Sequence, residues 1–451
     1  MTVRATYAAH ARALMALGLP LIGSQLAQLM LHVTGTLLMG RYGVQSLAAT
    51  VLGGSFFFML FILGSGFGNG AMGMIASAVG QGDHAEVRRV TRMALWLSAA
   101  YGAVVLPLFF WSGPVLVLLG QEPALAAEAG RYLSVAGFGM VPALVVVVLR
   151  SYLSAQERTQ VVLWVTVGSV FINAAVAWAL IFGHLGLPEL GVRGAAAAAL
   201  TVQVLTAVAL AAYAAWLPAL RHLRLFRRFW RADTSALAQV VRLGLPVGLT
   251  GLAESGLFIG AALMMGWVGT VPLAAHGIAM QVGAITFMVH MGLANATTVR
   301  AGRAFGEGDR QALAEVARTA IVLSLGFSLA MILCFVSFPG TIIGLFLDRT
   351  KPEAAAILAF GIRLLYMGAL FQAFDGMQAI ALGLLRGVHD TRMPMWIAIF
   401  AYWCVGIPVS YVMAFGVGLG GVGLWLGLVI GLVAASGLLM TRFWTGRALR
   451  G

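Results

Sequence analysis

Glu254 and Asp375 each stand in the middle of an apolar stretch, in VGLTGLAESGLFIG and LFQAFDGMQAIAL, with no basic residue within a helical turn or two. A carboxylate at bilayer depth costs at least ~2.5–3.5 kcal/mol on insertion scales, so it persists where it pairs, protonates or binds a cation. The other thirteen of the 15 acids lie in loops or at the ends of apolar runs. Two such carboxylates facing one cavity can hold Na⁺ together with hydroxyl and carbonyl oxygens, or share a proton. The competing reading is a structural acid bonded to a neighbouring helix, a task that Asn or Gln performs at lower cost.

Uncharged polar residues within apolar stretches outline a path: Gln25, Gln28, Asn69, Asn173, Gln203, Gln281, Asn295, Gln372 and Gln378. Taken singly, each reads as interhelical glue before it reads as a cavity ligand. Phe258, Met264, Met288, Phe374, Met377, Tyr402 and Trp403 offer ring faces and thioethers to flat apolar or cationic molecules, with core or lipid packing as the default for any one of them. Cys334 and Cys404 fall in separate apolar stretches without a CxxC or Cys/His cluster, so they read as small packing residues. No GxxxxGK[ST] motif is present and no organic cofactor is implied.

These residues need membrane helices to hold them. The chain of 451 residues is 61% hydrophobic and only 10% charged, and its mean hydropathy is +0.95, which a water-soluble domain could not sustain without exposing large apolar surface. Twelve stretches reach the ~20 residues that a span requires, so the expected fold class is an all-α integral membrane protein. No cleavable signal peptide is expected, because Arg4 and Arg12 lead straight into a full-length span.

The twelve spans fall into two halves. Residues 17–83 and 243–309 are copies in step at a constant offset: LGLP at Leu17 and Leu243, Met39-Gly40 and Met265-Gly266, Asn69 and Asn295, GQGD at Gly80 and GEGD at Gly306. Six spans per half keep both copies in one orientation, related by an axis along the membrane normal, with a cavity between. The expected division is an N-terminal lobe at 1–217, a basic linker at 218–238 and a C-terminal lobe at 239–451. Gln28 occupies the repeat position of Glu254, so the lobes are expected to be unequal, a neutral one and a cation-handling one. Pro20 and Pro246 are expected in early turns of equivalent helices, and Pro142 and Pro408 inside spans. The glycine-rich run at 63–73 admits a bending hinge or close helix packing.

Twenty-two of the 28 cations fall at one set of span ends and loops; only Arg41, Arg131, Arg193, Arg349, Lys351 and Arg363 fall at the other. The asymmetry puts both termini in the cytoplasm. It also accounts for the net charge of +13 without nucleic acid. The basic loop at 221–233 is expected to lie on the anionic inner leaflet.

The LGLP openings, MGRYG at 39–43, LAAHGIAM at 273–280, RAGRAFGEGD at 300–309, LRGVHDTR at 385–392 and YWCVGIPVSY at 402–411 resemble the multidrug and toxic compound extrusion family, its bacterial NorM-like branch in particular. The resemblance covers almost the whole chain. It implies a secondary active exporter that exchanges inward Na⁺ or H⁺ for outward organic, mostly cationic, drugs, working as a monomer among membrane lipids. It also implies that Glu254 and Asp375 match family acids of the seventh and tenth helices, with roles in cation binding and coupling. Two positions depart from the pattern. Gly35 stands where NorM-like members place an Asp in the first helix; His32, one turn earlier, reads as a hydrogen-bonded packing residue first and as a substitute titrating group second. Phe371 stands where some relatives offer a Tyr hydroxyl. A flippase for a lipid-linked or amphipathic precursor is the alternative; it favours a cavity lined by Arg, and no Arg stands mid-span in the sequence.

Overall fold

A computed structural model describes residues 7–450 apart from 222, 224, 227, 228 and 349. Arg4, Arg349 and three of the arginines counted in the basic loop, Arg224, Arg227 and Arg228, lie outside the described residues. The described residues are almost entirely helical. Among the described residues twelve helices are long and apolar enough to cross a membrane: α1 Tyr7–Tyr42, α2 Val44–Gly80, α3 His84–Phe110, α4 Pro123–Ala155, α5 Thr159–Phe182, α6 Val192–Trp216, α7 Thr234–Val268, α8 Thr270–Gly306, α9 Arg310–Ser337, α10 Ala354–Gly387, α11 Arg392–Gly416 and α12 Gly420–Thr445.

The internal repeat reappears as geometry. Asp83 caps α3 by accepting from the Ala85 and Glu86 amides, and Asp309 caps α9 by accepting from the Ala312 amide. Each cap follows a glycine at φ 71, Gly82 and Gly308, in the left-handed region that a side chain disfavours. Short helices at Ser112–Leu118 and Pro339–Gly344 follow α3 and α9 in turn. Pro20 and Pro246 differ from expectation: both are interior to their helices. α1 starts at Tyr7 and α7 at Thr234, so helical turns precede each apolar stretch.

The chain packs as two units. One comprises Gly23–Gly248. Within it the glycine-rich run of α2 is a packing surface: a Cβ on Gly66 would strike the backbone of Gly244 and Gly248, and one on Gly70 would lie 2.7 Å from the Gly244 Cα. Two small-xxx-small pairs thus bring α2 and the first part of α7 into backbone contact. Phe109, Leu133, Met140 and Leu144 form a core beside them.

The other unit comprises α1 up to Ile22 and the chain from Leu249 onward. Its core gathers Leu257, Met265, Ala275, Leu364, Phe371, Tyr402, Trp425 and Leu428 from α7, α8, α10, α11 and α12. α11 carries π-helical segments at Phe400–Gly406 and Val412–Gly416 around Pro408. A proline removes an amide donor and crowds the preceding turn, and wider turns of this kind recur at functional sites.

Candidate functional site

Both mid-span acids lie in this second unit, and helix periodicity explains which neighbours they meet. On α10, Gln372, Asp375 and Gln378 are one turn apart and share a face, all three at most 3% exposed. Gln378 Nε2 donates to Glu254 Oε1 at 3.2 Å, tying α10 to α7. Asp375 and Tyr402 stand within electrostatic range of Glu254. Tyr402 is fully buried on the π-helical segment of α11. The adjoining Trp403 donates its indole N–H to the Ala253 carbonyl at 3.2 Å. Gly256 leaves room for that ring, because a Cβ there would lie 2.6 Å from it.

Four polar atoms of this cluster are buried with no protein partner: Asp375 Oδ1, Gln378 Oε1, Gln372 Nε2 and the Tyr402 hydroxyl. An orphaned buried polar atom costs about 1–3 kcal/mol, so three such oxygens beside a carboxylate are a set for which a small hard cation is the complementary ligand. No group of three or more His, Cys, Asp or Glu side chains among the described residues forms a metal site. A cation held here would therefore rest on the two acids and on neutral oxygens. Phe371 packs against Phe258 and Trp425, centroids 6.2 and 5.9 Å apart, and walls the site with apolar rings.

Behind α10 lies a second polar layer that the sequence reading missed. Thr286 donates to Gln372 Oε1 at 2.8 Å, fixing that amide so that its N–H groups point away from the bond. His290 is fully buried with Ser324 Oγ 3.0 Å from Nδ1 and Ser328 Oγ 3.4 Å from Nε2. Gly376 admits the imidazole, since a Cβ there would lie 2.5 Å from the ring. Arg386 was also missed: its guanidinium stands within electrostatic range of Glu254 and Tyr402. It follows Asp375 by three helical turns on the same face, a count that would have exposed it.

The remaining sequence candidates sit elsewhere. Gln281 is exposed. Gln25, Gln28, His32, Gly35 and Asn173 belong to the unit built from Gly23–Gly248. There Gln25 accepts from Arg150, His32 is exposed and Asn173 is buried.

Twelve apolar helices among the described residues, with Glu254, the buried Asp375 and unpartnered oxygens among them, are the architecture of a polytopic transport protein. The chain belongs to the MatE family, whose model matches residues 20–179 and 246–412. It is 46% identical over 434 residues to the probable multidrug resistance protein NorM of Rhizobium meliloti, covering 96% of this chain and 93% of that protein. It is 36% identical to the multidrug resistance protein NorM of Burkholderia vietnamiensis, covering 95% and 92%. Among solved structures, a eukaryotic MATE transporter superposes with a TM-score of 0.87 at 19% identity, over 98% and 97% of the two chains. An outward-facing multidrug resistance MATE transporter gives 0.86 at 22%, over 97% and 95%. These two likenesses establish the fold.

Proposed function

We propose that this protein exports organic, mostly cationic, compounds in exchange for inward Na⁺ or H⁺, with Glu254 and Asp375 as the cation-coupling pair. It works by alternating access of the lobes at 1–217 and 239–451, joined by the linker at 218–238. One observation carries the reading: Asp375 Oδ1, Gln378 Oε1 and the Tyr402 hydroxyl are buried without partners around Glu254. A cation entering this set gains oxygen ligands that nothing in the protein satisfies. Two acids against one guanidinium, Arg386, leave one net negative charge when all are ionised, and one monovalent cation neutralises it. Coupling then follows from linkage: an ion that binds one conformation better than the other shifts the equilibrium by its differential affinity.

The names of the relatives support the cargo class, and the cation asymmetry supports a bacterial inner-membrane location with cytoplasmic termini. The working unit in this reading is the monomer. The test is transport of a fluorescent organic cation in proteoliposomes under an imposed Na⁺ gradient and, separately, an imposed pH gradient. One of the two gradients is expected to drive accumulation that the matching ionophore abolishes. Accumulation under neither gradient contradicts the reading.

A further inference from the structure

We propose that the unit built from Gly23–Gly248 contains a binding site for the carboxylate of a small amphipathic compound, anchored by the guanidinium of Arg150. That this compound is cargo rests on the export reading above; the binding itself does not.

Arg150 leaves α4 near its inner end, and its half-buried side chain reaches α1. Its Nη2 donates to Ser24 Oγ at 3.1 Å and to Gln25 Oε1 at 3.0 Å. Ser24 and Gln25 lie within two residues of the centre of the first apolar stretch, 14–38. The hydrocarbon core is ~30 Å thick, which puts lipid phosphates roughly 15 Å from that level. An internal cation normally has an anionic partner, because a lone charge at this depth is costly. Both partners of Arg150 are neutral.

Five carboxylates of this unit have partners other than Arg150. Glu86 and Asp233 pair with Arg89, Glu128 accepts from Ser46, Glu189 accepts from Tyr42 and Asp83 caps α3. None of the described carboxylates pairs with Arg150. Position 35, where the family resemblance expects an acid, is glycine, so the apolar stretch of α1 carries no acid.

The geometry leaves the anchor usable. A guanidinium has five N–H donors in a planar fork, and the two bonds in place use Nη2 alone. Among the described residues Nε and Nη1 have no acceptor, and the side chain is only half-buried. Gln25, Gln28, His32 and Gly35 follow at intervals of three and four residues and so share one face of α1. A Cβ added at Gly35 would meet nothing within 4 Å, so the outer end of this face borders open space. An amphipathic molecule lying along α1 would place its anionic end against the fork, where a carboxylate accepts two parallel N–H bonds.

The test uses the full chain in neutral detergent and compares rhodamine B, which carries a free carboxylate, with its ethyl ester, which does not. Arg150→Gln is expected to weaken rhodamine B binding by about 10-fold or more and ester binding by less than about 2-fold. Arg150→Lys keeps the charge, loses the fork and guards against misfolding of the neutral variant; its rhodamine B affinity is expected to fall between the other two. Equal losses for both dyes, or no loss in either variant, would overturn the proposal. Binding is read without any gradient. An Asp375→Asn variant that still pumps would therefore remove the coupling reading and leave the dye discrimination untouched.

Discussion

Tyr402 is the residue at which fold and function make opposite demands. Its hydroxyl is fully buried and bonded to nothing in the protein. If it serves only the fold, the hydroxyl is a defect, and Tyr402→Phe relieves the desolvation of an orphaned polar group, about 1–3 kcal/mol. If it belongs to the cation shell, the same change removes a ligand. The expectation is that Tyr402→Phe melts at or above the wild-type temperature in detergent and loses apparent cation affinity in transport. A variant that melts lower and transports normally would assign the hydroxyl a structural role. Glu254, Asp375 and Gln378 were legible in the sequence because charged or amide groups in apolar stretches stand out against their surroundings. Thr286, Ser324 and Ser328 were not, because hydroxyl residues are ordinary in spans and bond their own helix as readily as a neighbour, as Thr286 also does with the Gly283 carbonyl. Arg386 and Arg150 were hidden for another reason. Their backbone positions lie toward the inner ends of their helices, where positive charge is the rule, and only side-chain direction shows them reaching inward.

Helix contacts carry a comparable lesson at the next scale. The twelve spans and their order followed from apolar length alone, and the repeated GQGD and GEGD both end on an Asp that the structure shows capping the next helix, Asp83 and Asp309. What apolar length could not show is where backbones touch. The run at 63–73 reads equally as a hinge or as a packing face, since glycine serves both. The structure decides for packing, because Gly66 and Gly70 meet Gly244 and Gly248 with no space for a Cβ between them. Gly248→Val is accordingly expected to destabilise the protein by more than about 1–3 kcal/mol, the usual range for overpacking, because the obstacle is the backbone of α2 rather than a side chain that can rotate away. Thermal unfolding with the apparent melting point unchanged would restore the hinge reading. Helix starts were misjudged at Pro20 and Pro246 for a physical reason as well: the polar turns before an apolar stretch lie outside any hydropathy window yet continue the same hydrogen-bonded helix.

For the whole molecule, the duplicated sequence has diverged in charge while keeping its fold. The repeat partner of Glu254 is Gln28, the family's first-helix acid is Gly35, and the mid-span acids that remain are Glu254 and Asp375. The central claim is that those two carboxylates act as one coupling unit without a partner acid in the other lobe. The measurement that tests it most directly is uphill transport of a fluorescent organic cation in proteoliposomes, under whichever ion gradient drives the wild type, at matched protein density. Glu254→Gln and Asp375→Asn are each expected to lower the rate by about 10-fold or more, and the double variant to be no slower than either single, because residues acting as a unit are not additive. Adding Gly35→Asp to Asp375→Asn is expected to restore nothing, since a carboxylate on α1 cannot rebuild a shell made by α7, α10 and α11. Additive losses in the double variant, or transport regained with Gly35→Asp, would contradict the account.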